Sequence, residues 1–170
     1  MILQEASKEA AVTRADFESL EPELEAYLTG HWLTDFANFS AFVFARVPRL
    51  NWAGFYLFDG TALRLGPFVG KPACTEIRPG RGVCGTSFVK KSFLLVPNVD
   101  EFPGHITCDT ASRSELVIPL LLGEEAIGVF DLDSPERGRF TETERLGLER
   151  WLSLLIRKLP QERLRKRPWA

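Results

Sequence analysis

"ELVIPLLLGEEAIGVFDLD", residues 115–133, decides the fold. Two short aliphatic runs flank Gly123-Glu124, the spacing of a tight β-hairpin. A second pair, "NWAGFYLF" (51–58) and "ALRLGPFV" (62–69), is joined through Asp59-Gly60-Thr61, again a hairpin signal. "SFLLV" (92–96) reads as a further strand. Hairpins in place of long crossovers imply a largely antiparallel sheet.

The flanks are helical. Residues 13–29 predict a helix, with Thr13 and Asp16 in a capping-box arrangement and Phe17, Leu20, Leu24 and Leu28 recurring at helical spacing before Gly30. A second helix is expected over His31–Val47, with Trp32, Leu33, Phe36, Phe39 and Val43 as its buried stripe and Pro48 as its end. Thr141 and Glu144 cap a last helix, about 141–160, whose face is Leu148, Trp151, Leu152, Leu155 and Leu159. The expected class is α+β, a mainly antiparallel sheet of about six strands with the N- and C-terminal helices on one face. Residues 1–170 then form one domain: helices over about 13–47, sheet and loops over about 50–134, and the closing helix.

Composition narrows the function. At 170 residues, 45% hydrophobic and 26% charged, the chain has the make-up of a soluble globular protein. A net charge of −2 gives no reason to expect nucleic-acid binding. The basic "RLRKR" from Arg163 is short, and is read as favouring the helix dipole and solubility. "MILQEASKEAAV" lacks the features of a signal peptide, and no window reaches the ~18 apolar residues that span a bilayer. A cytoplasmic protein without membrane contact is expected. There, three cysteines, an odd number, argue against a structural disulfide framework.

Those cysteines, Cys74, Cys84 and Cys108, fall in or beside two long loops, residues 70–90 and the stretch that holds 102–115. Loops of more than ~15 residues within a domain are usually functional. The first holds glycines 70, 80, 82 and 85 and is expected to end in a short helix near Thr86. The spacings Cys74-x9-Cys84 and Cys84-x23-Cys108, with His105 three residues before Cys108, lack the close Cys-x2-4-Cys knuckle, so no metal site is expected. Each thiol alone is most simply a small buried hydrophobe; three confined to two loops favour reactive thiols, with Arg113 as electrostatic help for Cys108.

Asp131 and Asp133 end the apolar run "IGVFDLD" two residues apart, so they share a face. With Val129 towards the core, both carboxylates are buried and tend to protonate; otherwise they belong to a solvated strand end. Such a pair can bind an ammonium or donate a proton, and Glu115, which opens the adjacent strand, can join them. Trp52 and Tyr56 also share a face, as core or as lining for a methyl or thioether group.

Four segments carry a resemblance: "NWAGFYL", "LGPFVGKPACTEIRPGRGVCGT", "VPNVDEFPGHITCDTASRSELVIPL" and "IGVFDLDSPERGRF". Across about residues 51–140 they resemble the free-methionine-(R)-sulfoxide reductases, which are GAF-domain proteins. The resemblance implies a GAF-like fold, free methionine sulfoxide as substrate, no bound cofactor, and thioredoxin or another dithiol as reductant. Cys108, in "HITCD", matches the nucleophile, Cys74 the resolving cysteine and Cys84 a second resolving or auxiliary thiol. Trp52 and Tyr56 match the pocket around the substrate methyl. Glu115, Asp131 and Asp133 match the acids that bind substrate and protonate the departing oxygen, the donor among them left open. The match makes His105 a structural or hydrogen-bonding member of its loop, and leaves the termini for scaffold and homodimer contacts. A ligand-sensing GAF module and a thiol redox sensor are the alternative functions.

Overall fold

Two helices begin with reciprocal caps. In the computed structural model, which describes residues 11–106 and 108–170, Thr13 Oγ1 accepts from the Asp16 amide while the Asp16 carboxylate accepts from the Thr13 amide. This opens α1 (Arg14–Ala26), and Thr141 with Glu144 opens α4 (Glu142–Lys158) in the same way. Thr107 of "HITCD" and most of the leading segment read above for a signal peptide lie outside the described residues.

The remaining long elements are α2 (Trp32–Arg46) and six strands: β1 (Trp52–Phe58), β2 (Leu63–Gly70), β3 (Glu76–Ile77), β4 (Leu94–Val96), β5 (Ser114–Leu122) and β6 (Glu125–Ser134). They form one sheet in the order β3-β2-β1-β6-β5-β4, every neighbouring pair antiparallel. Both predicted hairpins are present.

The pleat divides the sheet into two faces. Phe55, Leu57, Leu116, Ile118, Phe130 and Leu132 point to the larger core. There α2 lies against β1 and β2, α4 against β5, and α1 against α4. Phe36 stacks on Phe55 with ring centroids 4.4 Å apart, and Trp151 donates its indole N–H to the Phe17 carbonyl at 3.1 Å. The opposite face carries Trp52, Tyr56, Val117 and Val129 and is covered by a further helix, α3 (Gly82–Lys90).

Several expectations are corrected. The first helix stops at Ala26, before residue 29, because the buried Asp35 carboxylate accepts the amides of Thr29 at 2.7 Å and Gly30 at 2.8 Å and holds them in a turn. Leu33 is 49% exposed; Phe36, Phe39 and Val43 carry the buried stripe of α2 as expected, joined by Phe42. The 70–90 segment contains β3 and α3, so Cys84 lies in a helix and not in a loop. Two glycines in "GVCGTSFVK" weaken intrinsic helicity; burial of Val83, Cys84 and Ser87 against the sheet supplies the stabilisation. The basic tail forms α5 (Gln161–Arg165), with Leu164 fully buried and Trp169 donating to the Phe58 carbonyl at 2.9 Å. It docks on the domain instead of serving only as a solvated end. No helix among the described residues is long and apolar enough to cross a membrane.

Candidate active site

Strand register assembles the acids. Trp52 on β1 opposes Asp133 on β6, which opposes Glu115 on β5; one step along, Gly54, Asp131 and Val117 form the next row. Opposed residues share a face, so the three carboxylates stand together on the face under α3. Gly54 is needed here. A Cβ at this position would lie 2.3 Å from Phe68 Cβ and 2.8 Å from the Trp52 ring.

The first turn of α3 closes the cluster. Cys84 is buried and free, with Sγ 3.9 Å from Glu115 Oε1. Gly82, which precedes it, has φ +62, a left-handed conformation that suits glycine. Cys74 and Cys108, each half-buried, are joined in a disulfide over the same cluster. What remains between them is a cavity of about 30 Å³, lined among others by Tyr56, Cys84, Cys108, Glu115, Asp131 and Asp133.

The two cysteine-bearing segments are anchored to β1. Tyr56 donates its hydroxyl to the Cys74 carbonyl at 3.0 Å, and Trp52 donates its indole N–H to the Lys71 carbonyl at 3.2 Å. Trp52 stands outside the cavity lining and stacks on Tyr56 and Phe68, with centroids 5.8 and 5.4 Å away. Asn51 ties down the Cys108 loop: its Nδ2 donates to Asp109 Oδ2 at 3.1 Å and Ser112 Oγ at 3.0 Å. Sequence reasoning gave Asn51 no role; its only signal is a polar residue at the mouth of an apolar strand. Arg81, which lines the cavity, was missed too. Arg113 is exposed and donates to the Thr110 and Ser112 carbonyls, so it braces the loop backbone and is not aimed at the thiol.

Electrostatics sets the protonation of the site. Burial, then the Asp133 charge, pushes the Glu115 carboxyl well above its usual range. Burial, then Glu115, does the same to Asp131, and burial, then Asp131, to Asp133. Burial also raises the Cys84 thiol, helped by Asp131 and Glu115, and raises the Tyr56 phenol. His105 Nε2 lies 3.5 Å from Glu115 Oε2; burial lowers the imidazole and raises the carboxyl, shifting both towards their neutral forms. Burial therefore shifts these acids towards their proton-bearing forms, the form a proton donor uses.

This arrangement has a stability cost with a definite sign. A carboxyl raised in the folded state leaves stability intact below its unfolded value, near 4, and lowers it as pH rises towards the folded value. Asp131→Asn is thus expected to raise Tm at pH 8 and to lose that advantage by about pH 4. Each ~1 kcal/mol recovered corresponds to about 2–4 °C in a domain of this size. Calorimetric melts at both pH values test this; a Tm difference independent of pH would exclude it.

The sequence matches the GAF domain family over residues 40–153. It is 42% identical over 145 residues to the free methionine-R-sulfoxide reductase of Escherichia coli, covering 84% of this chain and 88% of that protein. It is 38% identical over 136 residues to the Saccharomyces cerevisiae protein of the same name, 75% of each chain. The X-ray structure of free methionine-R-sulfoxide reductase from Neisseria meningitidis in complex with its substrate superposes with a TM-score of 0.80 at 36% identity. The superposition covers 91% of this chain and 95% of that one. The resemblance first seen around the three cysteines thus extends over nearly the whole fold, and the chain belongs to the free methionine-R-sulfoxide reductase family of GAF-domain proteins.

Proposed function

We propose that this protein reduces free L-methionine (R)-sulfoxide to methionine, with Cys108 as nucleophile and Cys74 as resolving thiol. The Cys108 sulfur attacks the sulfoxide sulfur, the oxygen passes to Cys108 as a sulfenic acid, and methionine leaves as the thioether. The Cys74 thiol then condenses with the sulfenic acid, forming the disulfide and releasing water. Thioredoxin, or another dithiol, takes that disulfide back to two thiols and is itself oxidised.

The observation that carries this reading is the Cys74–Cys108 disulfide closed over a buried cluster of three carboxyls. Developing charge on the sulfoxide oxygen calls for a nearby acid, and burial favours the protonated form within the Asp133, Asp131 and Glu115 cluster. A free amino acid presents an ammonium, which the acids suit. It also presents a carboxylate, which suits Arg81 and the first-turn amides of α3, whose N-cap residue makes no side-chain cap. Tyr56, which lines the cavity and is backed by the stacked Trp52, gives apolar surface for the methyl end. Cys84, buried and raised by its surroundings, is the auxiliary thiol in this scheme.

The test is turnover of racemic free methionine sulfoxide with dithiothreitol and chiral analysis of what is consumed. Loss of the R epimer alone, with no reaction on a peptide-bound sulfoxide, is the expected result. Oxidation of the thiols by peroxide as readily as by methionine sulfoxide would point to a redox sensor instead; saturable binding of a cyclic nucleotide without turnover would point to a sensing module.

One consequence concerns the disulfide state. About 30 Å³ is roughly the share of one water molecule and cannot admit methionine sulfoxide. Titration calorimetry is expected to show no binding to the oxidised protein and saturable binding to reduced protein carrying Cys108→Ser. Equal affinity for both forms would rule out closure by the disulfide.

A further inference from the structure

We infer that Cys84, Glu115 and Asp131 form a binding site for a thiophilic divalent cation of the Zn²⁺ class, and that the cation excludes substrate when bound. One donor atom from each residue lies within 4.8 Å of the other two, and all three residues are buried. Tetrahedral Zn²⁺, with Zn–S of about 2.3 Å and Zn–O of about 2.0–2.2 Å, needs donors about 3.5 Å apart. The Cys84 Sγ to Glu115 Oε1 distance of 3.9 Å is close to that value. Side-chain movements of about 1 Å complete the geometry.

A second observation points to a ligand independently of this clustering. Asp131 is 6% exposed and lines the cavity, yet its Oδ1 is buried without a hydrogen-bond partner. A buried carboxylate oxygen left unpaired is costly, and a ligand that satisfies it gains that cost back. Among the described residues no lysine or arginine neutralises Glu115, Asp131 or Asp133. The cluster also joins a sulfur to oxygens, the mixed donor set that selects Zn²⁺ over Mg²⁺ or Ca²⁺. Three protein ligands leave a fourth position for a further ligand, and Cys108 lines the same cavity. On binding, the Cys84 thiol and the carboxyls release their protons to solvent, and the metal takes the place proposed for the substrate ammonium. The binding step stands apart from the proposed reductase activity; only the inhibition rests on it.

Co²⁺, a spectroscopic substitute for Zn²⁺, tests the site. In the full chain carrying Cys74→Ser and Cys108→Ser, Cys84 is the sole thiol and no disulfide closes the cavity. Co²⁺ is expected to produce a near-ultraviolet thiolate charge-transfer band. Adding Cys84→Ser should remove the band, and adding Asp131→Asn should keep it while weakening affinity by at least about 10-fold, the lower end of what an outer-shell loss costs. Circular dichroism of each variant guards against misfolding. Absence of the band at saturating Co²⁺, its survival in the Cys84→Ser protein, or unchanged affinity with Asp131→Asn would overturn the site. In wild-type protein Zn²⁺ should inhibit competitively with methionine sulfoxide; noncompetitive or absent inhibition of an active enzyme would overturn the exclusion. A Co²⁺ band in the double-serine protein together with no turnover by the wild-type protein would instead count against the proposed activity while leaving the site standing.

Discussion

Cys108→Ser is expected to abolish reduction of free methionine sulfoxide, with kcat falling by at least about 10⁴-fold, the scale seen when a catalytic nucleophile is deleted. Cys108 is the half-buried sulfur that both lines the acid cavity and sits within bonding reach of a second thiol. A hydroxyl is nearly isosteric, so the fold should persist. What disappears is a sulfur able to accept oxygen and then exchange it for a disulfide. Turnover with dithiothreitol is the measurement, with circular dichroism and melting as controls. Wild-type turnover in this variant would remove Cys108 as nucleophile. Cys74→Ser separates the two roles: a single turnover should still release one methionine per chain, leaving Cys108 as sulfenic acid, while steady-state recycling slows.

The second large effect is expected from Asp133→Asn, a fall in kcat of about 10²–10³-fold, within the range for loss of a general acid. Asp133 stands between Trp52 and Glu115 in the cross-strand row and faces the cavity. Burial first, and then the Asp131 charge, hold its carboxyl well above the ordinary range. The sign follows from the role. A proton donor works below its folded pKa, so wild-type kcat should decline as pH rises through that raised value. An amide cannot titrate, so the variant should lack this alkaline limb and show a flatter profile. If the limb and kcat both survive, the proton comes from Glu115 or Asp131, which the same register places beside it.

Much of this molecule was legible locally. Alternating apolar runs around Asp59-Gly60 and Gly123-Glu124 defined the hairpins, because turn chemistry and a two-residue period act over a few residues. Thr13 with Asp16 and Thr141 with Glu144 marked helix starts for the same reason: each cap is complete within four residues. α3 was not legible. Its glycines read as loop, and its helicity depends on packing Val83 and Cys84 against β5 and β6, strands that come later in the chain. The end of α1 was misjudged because Asp35, well beyond the last turn, holds the Thr29 and Gly30 amides.

The site divides along the same line. From spacing alone, the sequence determined that Asp131 and Asp133 share a face, that Trp52 and Tyr56 do likewise, and that the cysteines lie outside the regular strands. The resemblance carried by those segments named the family. Only the tertiary structure decided that Glu115 opposes Asp133, that α3 covers the acids instead of leaving them at a solvated strand end, and that Cys74 reaches Cys108 while Cys84 stays free. Local pattern governs which way a side chain points. Burial, proton affinity and thiol pairing depend on what the rest of the chain brings against it, and for these residues that is set by contacts as far as 81 positions apart, as between Trp52 and Asp133.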